Sequence, residues 1–459
     1  MSTREATLPA RSPARDVPPR PLSVDRLASL VALTVIGFGA LAVIGLWWQD
    51  TLFIRGTGEW LTNAGRITGL LAGYAVVVLL ALMARIPVLE HRVGTDRLAR
   101  WHAMGGRYTV SLAVAHTLLI IWGYAVTAHT GVVPETGTLL TSYPDVLMAT
   151  VALGLLVGVG VASARAARRR LSYETWHFIH LYTYLAIALA FAHQFATGAD
   201  FVDRPTRMLW SVMYFTVAGA LVWFRLITPV AQAMQHRLRV LEVRRESRDV
   251  VSVYVTGRHL AELGAQPGQF FRWRFLTRDL WWAANPYSLS AVPSPGLLRI
   301  TVKVAGRHSA ALLALRPGTA VFAEGPYGSF TAARRRRRSV VLIGAGVGIT
   351  PLRTLFESLP GGPGEITLVY RARDVGDLVL RDELDEIARA RGAQVHYVVG
   401  ARRHGVDPLS AQRLARLVPD LQNADIFVCG PESLASTLRA ELRRIGVRRG
   451  HIHTESFSF

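Results

Sequence analysis

The chain has 459 residues, 51% of them hydrophobic, a single cysteine, and a formal net charge of +20 carried mostly by arginine. One cysteine excludes an intramolecular disulfide framework and an iron–sulfur cluster held by four thiolates. Mean hydropathy is positive, so the arginine excess reads as a topology signal and an affinity for anionic lipid, not as a nucleic-acid footprint.

Residues 1–25, "MSTREATLPARSPARDVPPRPLSVD", are rich in Pro, Arg and Ser, lack an early apolar core, and read as a disordered arm. Within 26–230, six apolar segments follow at about 27–48, 64–86, 104–127, 145–163, 174–196 and 207–228. Each is near the ~20 residues that a helix needs to cross ~30 Å of hydrocarbon. Arginine sets their direction. The arm, the loop with Arg85, Arg92, Arg97 and Arg100, and the loop with Arg165, Arg168, Arg169 and Arg170 fall on one side, whereas "TAHTGVVPETGTLLTSYPD" has no Lys or Arg. The positive-inside rule predicts a multi-pass protein of the cell membrane, with the N-terminus and everything beyond residue 230 in the cytoplasm.

Polar groups at membrane depth are rare and usually functional. Span three holds His102 and His116; span five, "WHFIHLYTYLAIALAFAHQF", holds His177, His180 and His193. The intervals 116 − 102 = 14 and 193 − 180 = 13 nearly match, and each corresponds to ~20 Å along a helix. Both spans run from inside to outside, so the intervals align as two rungs, His102 with His180 and His116 with His193. Two imidazoles facing each other across a bundle form an axial pair for a haem iron. At about 100° per residue, fourteen residues return within ~40° of the starting face, but thirteen leave the side chains well over 90° apart. Span five therefore needs a bulge, a tilt or an off-axis haem, and His177 competes as the inner ligand. His91 and His129 fall in loops and read as solvated.

This histidine frame, with "LLALMARIPVLEHRVGTDRLARWHAMGG" before and into span three, resembles the ferric reductase-like transmembrane family, which includes NADPH oxidases and metalloreductases, over roughly 27–228. The resemblance implies two haem b groups, ligated by His102, His116, His180 and His193.

From about 236 the texture changes to short alternating strands, "RVLEVRRESRDVVSVYVTG", "GQFFRWRFL" and "LLRITVKV", which predict a small antiparallel barrel over 236–333. Within it, "NPYSLSAVP" suits a flavin: Tyr287 can lie against a ring and Ser288 can hydrogen-bond the isoalloxazine edge. In "VKVAGRHSAAL" a strand through Val302 and Lys303 ends in a turn at Gly306, and Ser309 opens a helix, where backbone N–H groups can meet a pyrophosphate. The order of these pieces resembles the ferredoxin–NADP reductase family, whose flavin signature has the form Arg-x-Tyr-Ser. That likeness implies an FAD site at Asn285, Pro286, Tyr287, Ser288, Leu289, Ser290, Val302, Lys303, Gly306 and Ser309. Asn285 stands where the family has Arg, leaving Lys303 and Arg307 as candidates to neutralise the pyrophosphate. "AEGPYGSF" closes the barrel, and "RRRRR" (334–338) reads as a solvated linker, or more sharply as a contact for anionic headgroups.

The last region, 338–459, opens with "SVVLIGAGVGITPLRTLFESL": an apolar strand, a turn with Gly344, Gly346 and Gly348, and a helix, the recipe for a dinucleotide phosphate. "GAGVGITP", including Thr350 and Pro351, resembles the nicotinamide-binding turn of the same reductase family. A second strand ends at Arg371 and Arg373, which suit a 2′-phosphate, and so NADPH over NADH. "ADIFVCGPESL" ends a third strand at Cys429, Gly430 and Pro431; in the family this cysteine lies beside the nicotinamide. The chain ends "HTESFSF", where Phe457, after Glu455, matches the family's flavin-facing aromatic better than Phe459 does.

The expected fold is a six-helix transmembrane haem bundle followed by an antiparallel β-barrel FAD domain and an α/β nucleotide-binding domain. The expected function is an NAD(P)H-dependent transmembrane oxidoreductase, with Ser288, Cys429 and Phe457 at the reacting centre and a small acceptor outside the cytoplasm, ferric iron or dioxygen. The rivals are a haem-free, membrane-anchored flavin reductase serving a cytoplasmic partner, and a histidine-lined transporter or proton channel with a redox regulatory domain.

Overall fold

The computed structural model describes residues 23–49, 51, 54–164, 167, 170–171, 173–400 and 409–457. The expected arm up to residue 22, together with Arg165, Arg168, Arg169 and Phe459, lies outside the described residues. The chain divides into two compact units, Ser23–Thr228 and the part from Pro229 onward.

In the first unit, six helices among the described residues are long and apolar enough to cross a membrane. These are α1 (Ser23–Gln49), α2 (Thr57–Met83), α3 (Thr95–Thr127), α4 (Val146–Ser163), α5 (Tyr173–Thr197) and α6 (Arg204–Val222). A π-helical turn, Trp223–Ile227, carries α6 on into Thr228–His236. α1 starts inside the expected arm, and α2 starts at Thr57 where hydropathy placed it near 64. Large apolar side chains on α1, including Leu30, Val35, Phe38 and Leu41, are exposed. In a helix that satisfies its own backbone, such a surface suits hydrocarbon. The arginine-free loop contains a further helix, Val132–Ser142, with Glu135 and Leu139 buried and Thr130 Oγ1 donating to Glu135 at 3.0 Å.

Glycine sets the close packing of α2. Gly65, Gly69 and Gly73 recur at four-residue intervals on one face; a Cβ on Gly65 would sit 2.9 Å from Ile120, one on Gly69 2.6 Å from the His116 ring, and one on Gly73 2.8 Å from Gln194. Small residues in this pattern let membrane helices and their side chains approach the backbone.

The second unit begins with six strands, β1 (Arg239–Ser247), β2 (Val250–Thr256), β3 (Phe270–Phe275), β4 (Asn285–Ser288), β5 (Leu298–Lys303) and β6 (Val321–Tyr327). They form two antiparallel three-stranded sheets, β1-β2-β5 and β4-β3-β6, which are joined at their edges by short bridges, Arg239 to Ala320 and Leu289 to Ile300, and by the backbone hydrogen bonds beside them. The continuous barrel of the sequence reading is therefore two small sheets around a shared core of Val251, Val253, Phe271, Trp273, Leu289 and Ile300.

Next comes a five-stranded parallel sheet in the order β11-β10-β7-β8-β9. Its strands are β7 (Val340–Ala345), β8 (Ile366–Ala372), β9 (Gln394–Val399), β10 (Asp425–Pro431) and β11 (Ile452–Phe457). Alternate residues of β7 and β10 feed opposite cores: Leu342 and Phe427 pack on one face, Val341, Ile343, Ile426 and Val428 on the other. A parallel sheet covered on both faces explains why these strands read as unbroken apolar runs.

The arginine run is fastened, not a free linker. The Arg336 and Arg337 backbone N–H groups donate to Asp425, Arg335 and Arg338 pair with Glu365, and Arg334 donates to Ser329. Burial alone would raise the Asp425 carboxyl, but His453, His451 and the two N–H groups hold it at about 2.

Candidate functional site

Four histidines of the first unit meet as two pairs. The ring centres of His102 and His180 are 6.0 Å apart, and those of His116 and His193 are 6.5 Å apart. Two imidazoles ligating one metal from opposite sides, with bonds of about 2.0–2.1 Å, place their ring centres about 6.3 Å apart.

The nitrogens that face inward follow from what the other nitrogens do. A carbonyl can only accept, so His116 Nδ1–H donates to Gly65 O at 2.8 Å and His102 Nδ1–H to Leu79 O at 3.2 Å. Thr197 Oγ1 donates to the His193 carbonyl and so accepts from His193 Nδ1 at 3.0 Å. In all three rings Nε2 keeps its lone pair, the tautomer of a metal ligand oriented from behind. His180 differs: its buried Nδ1 has no hydrogen-bond partner among the described residues, and Trp176 stacks on the ring at 5.1 Å.

No group of three or more His, Cys, Asp or Glu side chains able to hold a metal occurs among the described residues. Two side chains per pair are too few for a bare ion but match an iron that brings its own equatorial ring. The donor set fits haem.

Helix α5 carries both of its histidines without the bulge that was one option in the sequence reading; it is α-helical throughout. Thirteen positions apart, His180 and His193 leave opposite flanks of α5 to reach partners on α3. It is the His180 ring that meets His102.

Sequence reasoning passed over the supports of this site. Gly65 and Leu79 act through their carbonyls, which no side-chain pattern reveals. Gly69 makes room for the His116 ring, and Arg66 forms a two-pronged ion pair with Asp200 at 2.5 and 3.2 Å. The visible signals were the glycine repeat of span two and an arginine at membrane depth.

In the second unit the expected nucleotide residues gather at the carboxyl ends of the parallel strands. Cys429 lies opposite Gly344, Arg371 opposite Ala345, and Pro431 opposite Phe457. From β7 the chain winds one way to β8 and β9, and then returns to β10 and β11 on the other side. The turn Gly346–Gly348 and the Cys429–Pro431 segment therefore flank the switch point, where ligands bind in open α/β sheets. A Cβ on Gly348 would stand 2.2 Å from the Cys429 carbonyl oxygen, so only glycine permits this approach. Helix α7 (Ile349–Ser358) follows the turn; Thr350 Oγ1 closes it by donating to Val347 O at 3.0 Å, and Pro351 is buried. Burial, with the Glu455 charge adding to it, raises the Cys429 thiol well above its ordinary value, so it is a neutral S–H group. Arg371 is half-buried and Arg373 exposed.

Among the expected flavin residues, Asn285, Pro286, Tyr287 and Ser288 form β4, with Tyr287 opposite Phe271 and Ser288 opposite Phe270. Trp273 Nε1 donates to Tyr287 O at 3.0 Å. Burial pushes the Tyr287 phenol up to about 12. The buried Ser288 Oγ has no hydrogen-bond partner among the described residues, an orphan that suits a polar ligand edge and so fits a flavin. Leu289 is wholly buried in the core, where it serves packing. Val302 is core too, and Lys303 is paired with Asp249 at 3.0 Å. Ser309 Oγ caps its own turn, accepting from the Ala305 and Gly306 N–H groups at 2.9 and 3.0 Å.

These features define a class: a membrane bundle with paired histidines, joined to a flavin- and dinucleotide-type reductase unit. Residues 68–191 match the family model of the ferric reductase like transmembrane component, and residues 342–440 match that of the oxidoreductase NAD-binding domain. The chain is 30% identical over 190 residues to ferredoxin–NADP reductase B of Sorangium cellulosum, covering 37% of this chain and 77% of that one. It is 30% identical over 245 residues to the flavohemoprotein of Bordetella pertussis, covering 48% of this chain and 60% of the relative's length. Among solved structures, the flavohem-like FAD/NAD binding domain of nitric oxide dioxygenase from Vibrio cholerae is similar at 26% identity and a TM-score of 0.41, covering 49% of this chain and 99% of that one. The chain thus contains a ferric reductase like transmembrane component, and its reductase unit belongs to the ferredoxin–NADP reductase family.

Proposed function

We propose that the protein is a membrane oxidoreductase that takes electrons from NAD(P)H in the cytoplasm and delivers them to a small acceptor, ferric iron or dioxygen, on the other side. The observation that carries this reading is the pair of histidine rungs at 6.0 and 6.5 Å. His102 and His180 would hold an inner haem b, and His116 and His193 an outer one. Asn285–Ser290 and the turn around Gly306 would hold FAD; Gly344–Gly348, Thr350, Pro351, Arg371 and Arg373 would hold the nicotinamide nucleotide, with the two arginines favouring NADPH.

When bound, FAD would convert the two-electron chemistry of NAD(P)H into the single-electron chemistry of haem iron. The chain's own part is placement. Ser288 offers its free hydroxyl to the flavin edge. Cys429, uncharged and buried, would lie beside the nicotinamide, and Phe457, at the end of β11 opposite Pro431, would be the residue that yields to it. The backbone carbonyls behind His102 and His116 fix which nitrogen faces the metal. Arginine on one set of loops puts both the N-terminus and the reductase unit in the cytoplasm.

The deciding measurement is the visible spectrum of purified protein before and after dithionite. Two haems per chain are expected. No haem band would overturn the reading and leave a flavin reductase or a histidine-lined transporter. Superoxide dismutase then separates the acceptors: full inhibition of NADPH-driven cytochrome c reduction assigns dioxygen, and undiminished reduction of ferric chelates assigns iron.

A further inference from the structure

Arg299, on β5, is buried to 4% exposure and is not among the expected binding residues. All five of its N–H donors are engaged. Nε donates to Ser290 Oγ at 3.1 Å and Nη2 to Ser290 O at 2.7 Å. Nη1 and Nη2 also grip Glu383 end-on at 2.6 and 2.8 Å, and Nη1 reaches Tyr254 Oη at 3.4 Å. One rigid plane therefore joins Ser290, two residues beyond the free hydroxyl of Ser288, to a carboxylate of the nucleotide subdomain.

Glu383 lies in the first turn of helix α8 (Arg381–Arg391), which follows the strand-end arginines Arg371 and Arg373. The same carboxylate accepts from Arg353 Nε at 2.8 Å, and Arg353 projects from α7, the helix that the glycine turn opens. Both helices that follow candidate nucleotide-binding turns thus meet at Glu383, and through it they reach the flavin-facing segment. Burial alone would raise the Glu383 carboxyl, but Arg299 and Arg353 hold it below its usual range, so it carries its charge at neutral pH. A buried ion pair adds little net stability, because desolvation offsets most of its attraction. What a planar, fully bonded guanidinium supplies is direction.

We propose that Arg299 is a positioning residue that couples nucleotide docking to the flavin segment, holding Ser288–Ser290 in register with the glycine turn through Glu383. This rests on the reading of the unit as an NAD(P)H–flavin reductase.

The test uses full-length protein purified with its FAD, as wild type, Glu383→Gln, Arg299→Lys and, as a control, Glu357→Gln. Glu357 pairs with Arg353 at 2.6 Å, four residues along the same helix. Hydrogen exchange is followed with and without NADP⁺, and flavin reduction by NADPH is timed per bound flavin. In the wild type, NADP⁺ slows exchange both around the glycine turn (344–357) and in 288–301. In Glu383→Gln it slows the first region alone, and the reduction rate falls about tenfold, the scale of a sub-ångström misplacement, with KM for NADPH within about twofold. Arg299→Lys behaves alike because an ammonium cannot span both partners; Glu357→Gln behaves as wild type. The proposal is overturned if Glu383→Gln keeps the wild-type rate per flavin and the NADP⁺ response at 288–301, or if it loosens that segment equally with and without NADP⁺. A wild type that holds no FAD, or that NADPH does not reduce, removes the functional reading itself, and this inference with it.

Discussion

In the membrane unit, each candidate ligand is a side chain at a helical interval, and for three of the four a backbone atom or hydroxyl behind it sets its orientation: Gly65 O behind His116, Leu79 O behind His102, Thr197 behind His193. In the reductase unit the arrangement is inverted. There the candidate surface is largely backbone, at Gly344–Gly348 and Cys429–Pro431, and side chains such as Thr350 and Ser309 are used to hold the turns. The difference follows from the solvent. Hydrocarbon leaves backbone groups locked inside helices, so chemistry has to come from side chains that intrude at a cost. At a strand end in water the backbone is free to bind, and glycine is what exposes it.

That contrast predicts unequal sensitivity to single substitutions, and the bundle should be the more brittle. His116→Ala or His193→Ala should remove the outer haem completely, leaving about one haem per chain by pyridine haemochrome assay, since an axial pair loses half its ligands. Reduction of the flavin by NADPH should continue unchanged. Retention of two haems would break the assignment of that rung. Gly69→Ala comes next, because its new Cβ would stand 2.6 Å from His116 Nδ1, against a ring already bonded to Gly65. Outer-haem affinity should fall about ten- to a hundredfold, the usual effect of disturbing a ligand's support. Gly106→Ala, where a Cβ meets nothing within 4 Å, is the matched control.

The same asymmetry governs what could be read from sequence. Six spans and four histidines were legible because in apolar runs every polar residue stands out. The start of α2 was misplaced because "TGEWLTN" is polar yet helical, and the helix Val132–Ser142 was hidden by its Thr, Gly and Pro content. In the reductase unit, strand–turn–helix patterns identified the glycine turn and the strand ends. The arginine run read as a solvated linker because the acceptors that fasten Arg335 to Arg338, Glu365 and Asp425, lie 27 to 89 residues away. Arg299 and Glu383 are 84 residues apart, and among 52 Lys and Arg residues nothing singles out that one. Carbonyl acceptors are beyond sequence altogether, since every residue has one.

The reductase unit has one buried charge cluster that tests it as the histidines test the bundle. Asp425 is fully buried at the start of β10 and fastens the arginine run, with His451 Nδ1 at 2.8 Å and His453 Nε2 at 3.5 Å. Its folded value of about 2 lies below the ordinary 3.8. The stabilisation is therefore present in full above pH 3.8 and is lost as pH falls towards 2. Asp425→Asn should cost about 1–3 kcal/mol at neutral pH, the penalty for donors left without their charged acceptor. It should also flatten the acid limb of the unfolding profile, followed by intrinsic fluorescence. An unchanged acid limb would show that other carboxylates govern acid unfolding.

The smallest effect should come from the most exposed candidate. Arg373 stands just past the end of β8 in water, so a contact from it to a 2′-phosphate is screened, unlike the enclosed pairs of Arg299. Arg373→Ala should raise KM for NADPH about three- to tenfold and leave KM for NADH unchanged, because only the phosphate distinguishes the two nucleotides. Steady-state kinetics with each nucleotide gives the ratio directly. If both KM values rise together, the arginine serves the shared part of the nucleotide and the preference lies with half-buried Arg371. If neither moves, exposed side chains contribute nothing here, and selectivity in this unit, as in the bundle, is carried by groups the fold has already enclosed.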